Sequence, residues 1–121
     1  MLEFLKRNQR VHELLLCAWG EIEFNVDQLV ARQFGLHCDY YDKKVRFLLD
    51  SSLARKLDFL KDIGAIQNDE LQAVHAFRKR RNELFHSQGW GALFMMSKNE
   101  KEQVKDEALR VAQLTLVILS R

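Results

Sequence analysis

The chain contains no proline, and this absence constrains its fold more than any other single feature. Proline interrupts α-helices because it lacks a backbone N–H and its ring clashes with the preceding turn. The apolar residues also recur at intervals of three and four positions rather than two, which is the spacing of an amphipathic helix. The sequence therefore predicts an all-α protein.

The first predicted helix is long and runs from about Leu2 or Asn8 to Phe34. Gly35 follows it as a helix-terminating glycine. Gly20, in its interior, costs roughly 1 kcal/mol relative to alanine, so a packing contact or a kink is expected there. One apolar stripe of this helix is formed by Leu15, Ile22, Val26, Leu29 and Val30.

Further helices are predicted in the rest of the chain. A serine before an apolar run, with a glutamate three residues later, is a capping box, and a glycine after such a run ends a helix. Ser97 with Glu100 fits the first pattern and Gly64 fits the second. The predicted segments are a short helix around Lys43 to Leu49, then Ser52 to Ile63, a helix capped by Asn68 or Asp69 that ends near His86, and Ser97 to the C-terminal residues.

The length allows a single domain spanning residues 1–121, because 121 residues of which 47% are hydrophobic supply one core. Four long helices joined by short connectors predict an antiparallel four-helix bundle with a short extra helix. The segment Leu114 to Leu119 is apolar on almost every side of its helix. Such a segment needs cover on more than one side, which predicts a homodimer.

Charge and cysteine content narrow the class of protein further. A formal net charge of +2 is too small for a surface that binds nucleic acid everywhere, so any basic site must be a local patch. Cys17 and Cys38 have no metal-ligand spacing, and neither a metal nor a cofactor is expected. The apolar run Leu14 to Trp19 is far shorter than the ~20 residues of a membrane span. We expect a reduced, cytoplasmic protein without a signal peptide or a contact with the membrane.

The stretch RKRRNELFHS, from Arg78 to Ser87, carries the residues with the clearest chemistry. Cleavage of RNA without a metal requires a base for the 2′-hydroxyl, an acid for the leaving 5′-oxygen and a fixed positive charge near the phosphate. His86 can act as the base or the acid, and Arg81 can hold the phosphate. Asn82 lies one helical turn before His86 and can orient its ring.

The same stretch resembles a known family. The region Leu53 to Ser87 is similar to the middle of a HEPN domain, in particular to its mannitol-operon-repressor-type branch. In that branch a helix of the form KIxLLxxLGLI precedes a helix ending in RNxxxHS. The corresponding segments here are Lys56 to Ile66, KLDFLKDIGAI, and Arg81 to Ser87, RNELFHS.

The resemblance implies a compact helical bundle, usually dimeric, with the motifs of two protomers facing each other across a cleft. Many such domains are metal-independent endoribonucleases, often toxins paired with an antitoxin, and others bind nucleotides or act as regulators. Arg81, Asn82 and His86 are the site residues that it implies. Toxins silenced by a nucleotidyltransferase typically carry a tyrosine two positions after the histidine, whereas this chain has Gln88.

The motif geometry also favours a dimer. On an ideal α-helix at about 100° per residue, Arg81 and His86 point about 140° apart, so a single helix presents them poorly to one phosphate. Two motifs that face each other remove this difficulty and supply two imidazoles.

Structural alternatives stand beside each functional reading. The basic run is also what a solvated last helical turn looks like, and a histidine there is often a partner of the last carbonyls. A non-catalytic regulator or a helical interaction module is the main alternative function. The remaining histidines, His12, His37 and His75, are expected to be structural. A solvated acidic face is expected for Glu21, Glu23 and Asp27, with a carboxylate lent to the cleft as the alternative. The end of the core is expected to be covered by Trp90, Phe94, Met95 and Met96, with stacking on a base as the alternative.

Overall fold

The protein is described from a computed structural model, which covers residues 2–3, 10–37, 39–84 and 96–121. Within these ranges it contains helices and no strand, so the all-α prediction is confirmed. The helices are α1 (Val11–Gln33), α2 (Lys43–Leu49), α3 (Leu53–Asp62), α4 (Asn68–Asn82) and α5 (Lys98–Leu119). No helix in the described ranges is long and apolar enough to cross a lipid bilayer.

Two helices end at the glycines that the sequence singles out. Gly35 and Gly64 have φ angles of 69° and 78°, a left-handed conformation that a side chain disfavours. After α1, the N–H of Leu36 donates to the carbonyl of Ala31 at 3.0 Å, and after α3 the N–H of Ala65 donates to that of Leu60 at 2.8 Å. These bonds satisfy carbonyls that a helix end otherwise leaves exposed.

Polar side chains cap the N-termini of α3, α4 and α5. The hydroxyls of Ser52 and Ser97 each accept a hydrogen bond, at 3.2 Å, from the backbone N–H three residues later. For α4, the prediction of Asn68 or Asp69 as the cap is wrong, because Gln67 occupies that position. Glu70 reaches back and accepts from the N–H of Gln67 at 2.8 Å, the reciprocal contact of a capping box.

The two longest helices, α1 and α5, form the central contact of the fold. All five residues of the predicted α1 stripe are buried. Between the helices, the side-chain amide of Asn25 donates to the hydroxyl of Thr115 at 3.1 Å in the buried interior. Arg32, two turns further along α1, donates to the backbone carbonyl of Leu119, one turn further along α5, at 2.8 Å. The residue further along α1 thus contacts the residue further along α5, so the two helices run in the same direction.

Helix α4 runs antiparallel to α5. Its late residue Arg80 contacts Glu107 in the first half of α5, and its early residue Glu70 contacts Arg121 just beyond the end of α5. The predicted antiparallel arrangement therefore holds for α4 and α5 but not for α1 and α5. The physical reason is the long connector between Gln33 and Leu53, which contains α2 and is not the tight turn that antiparallel neighbours require.

Asp27 ties both this connector and α3 to α1. Asp27 on α1 accepts from the ammonium of Lys56 on α3 at 2.7 Å and from the hydroxyl of Tyr40 at 2.8 Å. Asp27 is only 7% exposed, so its expected place on a solvated acidic face is wrong. Glu21 and Glu23, in contrast, are exposed as predicted.

Of the two expectations at Gly20, a packing contact or a kink, the packing contact is not found among the described residues. There a Cβ atom added to Gly20 meets no heavy atom within 4 Å, and the residue lies on the exposed face of α1. No described residue therefore opposes a side chain at this position, whereas the backbone of Gly20 retains the conformational entropy of glycine in the unfolded chain.

Replacement of Gly20 by alanine should stabilise the protein by about 1 kcal/mol, because alanine has the higher helix propensity and fits the open position. The matched control is Gly64→Ala, which places a side chain at a positive φ and should destabilise the protein. Urea denaturation followed by circular dichroism measures both. A Gly20→Ala variant less stable than wild type would show that this face of α1 is covered in solution.

A second ion pair joins the start of α4 to the C-terminal residue. The carboxylate of Glu70, which is 6% exposed, accepts two hydrogen bonds from the guanidinium of Arg121. Burial by itself raises the pKa of Glu70, but the hydrogen bonds from Arg121 and from the Gln67 backbone outweigh it. They lower this pKa below its ordinary value of 4.5.

Glu70 should therefore contribute stability that is present above its unfolded pKa and lost as the pH falls through its lower folded pKa. Glu70→Gln should cost on the order of 1 kcal/mol at pH 7, since Arg121 is half exposed and solvent screens the pair. Below about pH 4.5 the free energies of unfolding of wild type and variant should converge. Urea titrations at several pH values measure this convergence, and Glu13→Gln, at an exposed position of α1, is the control. A constant difference down to pH 3 would contradict the role of Glu70.

Candidate nucleic-acid-binding site

The structure describes two of the three predicted site residues. Arg81 and Asn82 are the last two residues of α4, and both are partly buried. His86 lies outside the described residues, as do Gln88, Trp90, Phe94 and Met95. Met96 is described and packs, partly buried, against the hydrophobic core, in agreement with its predicted covering role.

Arg81 is positioned by an aromatic ring of α1. Its guanidinium carbon lies 4.7 Å from the centroid of the Trp19 ring, a cation–π arrangement. Trp19 in turn contacts the ring of the buried Phe77, with 6.1 Å between centroids. The charge of Arg81 is thus held against a fixed surface of the bundle instead of extending freely into solvent.

Trp19 is the residue of this site that the sequence analysis overlooked. In the sequence, Trp19 is distinguished only by its place in the apolar run of the first helix. Such runs usually indicate core packing. A second signal was present on α4, because Arg81 follows Phe77 by four residues and therefore lies on the same helix face. That spacing places Arg81 at the border of the core, but it does not identify the aromatic partner on α1.

Asn82 uses its side chain toward Arg81. The Nη1 of Arg81 donates to Oδ1 of Asn82 at 3.3 Å. The predicted role of Asn82 was to orient His86. The side-chain oxygen of Asn82 accepts the hydrogen bond from Arg81. A hydrogen bond that orients His86 would therefore be donated by the NH₂ group of Asn82.

The helix changes its geometry directly after the motif begins. Glu83 and Leu84 are π-helical, not α-helical. In a π-helix, residues five positions apart are joined by a hydrogen bond, and such turns occur frequently at functional sites. The angle of about 140° between Arg81 and His86 assumes an ideal α-helix, and Glu83 and Leu84, which lie between them, depart from that geometry. His86 lies outside the described residues, so the angle and the dimer that it favours stay predictions.

The remaining cations of the basic run have different environments. Arg78 donates through Nε to Nδ1 of His75 at 3.4 Å, and Nε2 of His75 lies 3.6 Å from a carboxylate oxygen of Asp58. Arg80 lies 4.0 Å from the carboxylate of Glu107, and Lys79 is exposed. Arg78 and His75 thus have the structural roles expected of a helix surface.

Lys79 and Arg80 line a concavity of about 470 Å³ beside the motif. Glu83, Leu84 and Met96 also line it, together with Glu107 from α5. Two cations face two carboxylates across this space, so its charge is close to balanced. Arg81, at the negative end of the α4 dipole, is the cation that the fold holds most rigidly.

The described residues contain no group of three or more histidine, cysteine, aspartate or glutamate side chains that could hold a metal ion. Comparison of the chain with protein-family models, with curated proteins and with solved structures finds no match. No comparison tests the resemblance to HEPN domains, which stays a prediction from the sequence between Leu53 and Ser87.

Proposed function

We propose that this protein is a HEPN-like domain that binds RNA at a site formed by Arg81, Asn82 and His86, and that it acts as a metal-independent endoribonuclease in a homodimer. The observation that carries the proposal is the fixed position of Arg81. Its guanidinium stacks on Trp19 and bonds to Asn82, so a permanent positive charge is already oriented at the end of α4. A phosphate-binding group works best when its position costs no further ordering.

The reaction proposed for this site is transesterification within the RNA. The 2′-oxygen attacks the adjacent phosphorus while one imidazole accepts the hydroxyl proton. The bond from phosphorus to the 5′-oxygen breaks, and a second imidazole supplies a proton to that oxygen. The products are a 2′,3′-cyclic phosphate and a 5′-hydroxyl. In the homodimer, His86 of each protomer supplies one imidazole, and Arg81 stabilises the negative charge that develops on the phosphate.

Exposed apolar residues support the dimer. Leu116 and Val117 of α5 are 47% and 48% exposed, whereas their neighbours Thr115 and Ile118 are buried. Phe24 on α1 is exposed to a similar extent. Adjacent exposed apolar residues such as Leu116 and Val117 are typical of protein–protein contacts.

A non-catalytic regulator is the second candidate, and the same contacts of Arg81 favour it. A guanidinium that stacks on Trp19 and bonds to Asn82 also performs a structural task, because it joins the end of α4 to α1. On this reading the exposed apolar residues bind a regulatory partner protein, as in a domain of the mannitol-operon-repressor type.

The proposed chemistry predicts that His86→Ala reduces RNA cleavage by at least ~10²-fold, the usual loss for a general acid or base, with little change in melting temperature. Arg81→Lys should also impair cleavage, because an ammonium lacks the planar fork that grips a phosphate. Wild-type cleavage should persist in EDTA and leave a 2′,3′-cyclic phosphate. Gel assays of labelled RNA and mass spectrometry of the products measure these effects.

The matched controls are His37→Ala and Arg110→Lys, which alter exposed residues far from the motif in sequence. The regulator reading has a different signature: Arg81→Lys then lowers the melting temperature and leaves RNA affinity unchanged. Cleavage that disappears in EDTA and returns with Mg²⁺ would contradict the proposed mechanism.

The proposed homodimer predicts twice the chain mass in sedimentation at micromolar concentration. Leu116→Glu with Val117→Glu should shift the protein to a monomer, because the half-exposed positions tolerate charge in the monomer but not in an apolar interface. The control pair is Lys61→Glu with Gln72→Glu, at exposed polar positions of α3 and α4. A wild-type protein that sediments as a monomer would exclude the paired site.

A further inference from the structure

A second concavity, remote in sequence from the motif, combines exposed aromatic rings with cations. It measures about 380 Å³ and lies where α2 and the preceding connector meet α1. Tyr40, Lys43, Arg46 and Phe47 line it from the connector and α2, and Asp27 lines it from α1. We call this space the α2 concavity.

The exposure of Phe47 is the first unexplained feature of this region. Phe47 is 87% exposed although it lies on a helix whose Val45 and Leu49 are 2% and 7% exposed. Because the opposite face of α2 is anchored in the core, Phe47 is presented to solvent by a fixed helix. An exposed phenyl ring gains nothing for the monomer, since none of its apolar surface is removed from water.

The second feature is the rigid support of Tyr40. Its ring is 44% exposed, but its hydroxyl donates to Asp27, which is paired with Lys56 at 2.7 Å. The ring therefore lines the α2 concavity in one orientation. The ammonium of Lys56 also neutralises Asp27, so the floor of the concavity adds little negative charge.

The third feature is the charge at the rim. Lys43 and Arg46 line the α2 concavity together with two carboxylates, Asp50 and the Asp27 that is paired with Lys56. Lys44, which is exposed on the same short helix, adds another positive charge nearby. Two aromatic rings and two cations around one open space form the combination that binds single-stranded nucleic acid, in which bases stack on rings and phosphates meet cations.

We propose that the α2 concavity binds single-stranded RNA, with a base stacked on Phe47 or Tyr40 and the flanking phosphates held by Lys43 and Arg46. This inference rests on the proposed function, since it supplies a second contact for the RNA that the Arg81 site acts on. An apolar protein segment fits less well, because it would bury the two cations Lys43 and Arg46 beside a single lining carboxylate, Asp50, that is not the one paired with Lys56.

Fluorescence anisotropy with a labelled single-stranded oligoadenylate of twelve nucleotides tests the proposal. Phe47→Ala should weaken binding about tenfold, as expected for the loss of one stacked base. The double variant Lys43→Ala with Arg46→Ala should weaken binding and reduce the salt dependence, with a decrease of about 1.4 in the slope of log affinity against log salt concentration.

Matched controls test whether RNA binds at the α2 concavity itself and not at any exposed ring or cation of the surface. Tyr41 is 96% exposed but does not line the space, so Tyr41→Ala should bind as wild type does. Lys61→Ala with Arg110→Ala removes two exposed cations from α3 and α5, and it should leave the affinity within about twofold of wild type.

The outcomes distinguish this inference from the proposed site. Unchanged affinity in both concavity variants, with weaker RNA binding in Arg81→Lys and loss of cleavage in His86→Ala, overturns the inference and leaves the proposed function standing. The reverse pattern supports the α2 concavity and overturns the Arg81 site. If Phe47→Ala leaves RNA affinity unchanged and converts a dimer into a monomer in sedimentation, a second copy of the chain occupies the α2 concavity and the inference is wrong.

Discussion

The hydrogen bond between Asn25 and Thr115 is the constraint on which the rest of the arrangement depends. Both side chains are buried between α1 and α5, where an amide without a partner costs about 1–3 kcal/mol. The apolar residues of these helices tolerate several relative positions, but this bond forms in only one of them. It therefore fixes the register of α1 against α5. Because α4 is in turn fixed to α5 at both ends, through Arg80 and Glu70, the register also determines which part of α1 faces the end of α4.

The residue that α1 presents there is Trp19, and its contact with Arg81 serves two requirements at once. A guanidinium is planar, so one face can stack on an aromatic ring while its edges remain available for hydrogen bonds. The stacking stabilises the end of α4 by about 0.5–1 kcal/mol, the usual value for a partly exposed cation–π pair. The same stacking orients the charge before any phosphate arrives. A structural role for Arg81 is therefore compatible with a chemical one, and only substitutions that keep the charge but change the shape separate them.

The sequence predicted what local interactions determine, and it failed where distant residues decide. The helix ends at Gly35 and Gly64, the serine cap of α5 and the buried stripe of α1 each depend on residues within one or two turns. The direction of α1 relative to α5 depends on a connector whose path the sequence does not reveal. Likewise, Asp27 was predicted to be solvated because its partner Lys56 lies 29 positions away in the sequence, where local patterns do not reveal it. The same holds for the candidate site. Arg81 and Asn82 could be predicted because they belong to one local motif. Trp19 could not, because it lies on another helix, and the π-helical residues after Asn82 have no clear sequence signal.

Helix α1 connects the two proposed RNA contacts physically. Trp19 supports Arg81, and Asp27 anchors Tyr40 beside the α2 concavity. These two residues of α1 are eight positions apart, which corresponds to about 12 Å along the helix axis and about 80° around it. The two contacts therefore rest on neighbouring sides of one rigid helix. A short single strand that is held by a stacked base at the α2 concavity can reach the Arg81 site without passing around the bundle. A fixed distance between a site that holds the strand and a site that acts on a phosphate would restrict cleavage to positions at a set distance from the stacked base.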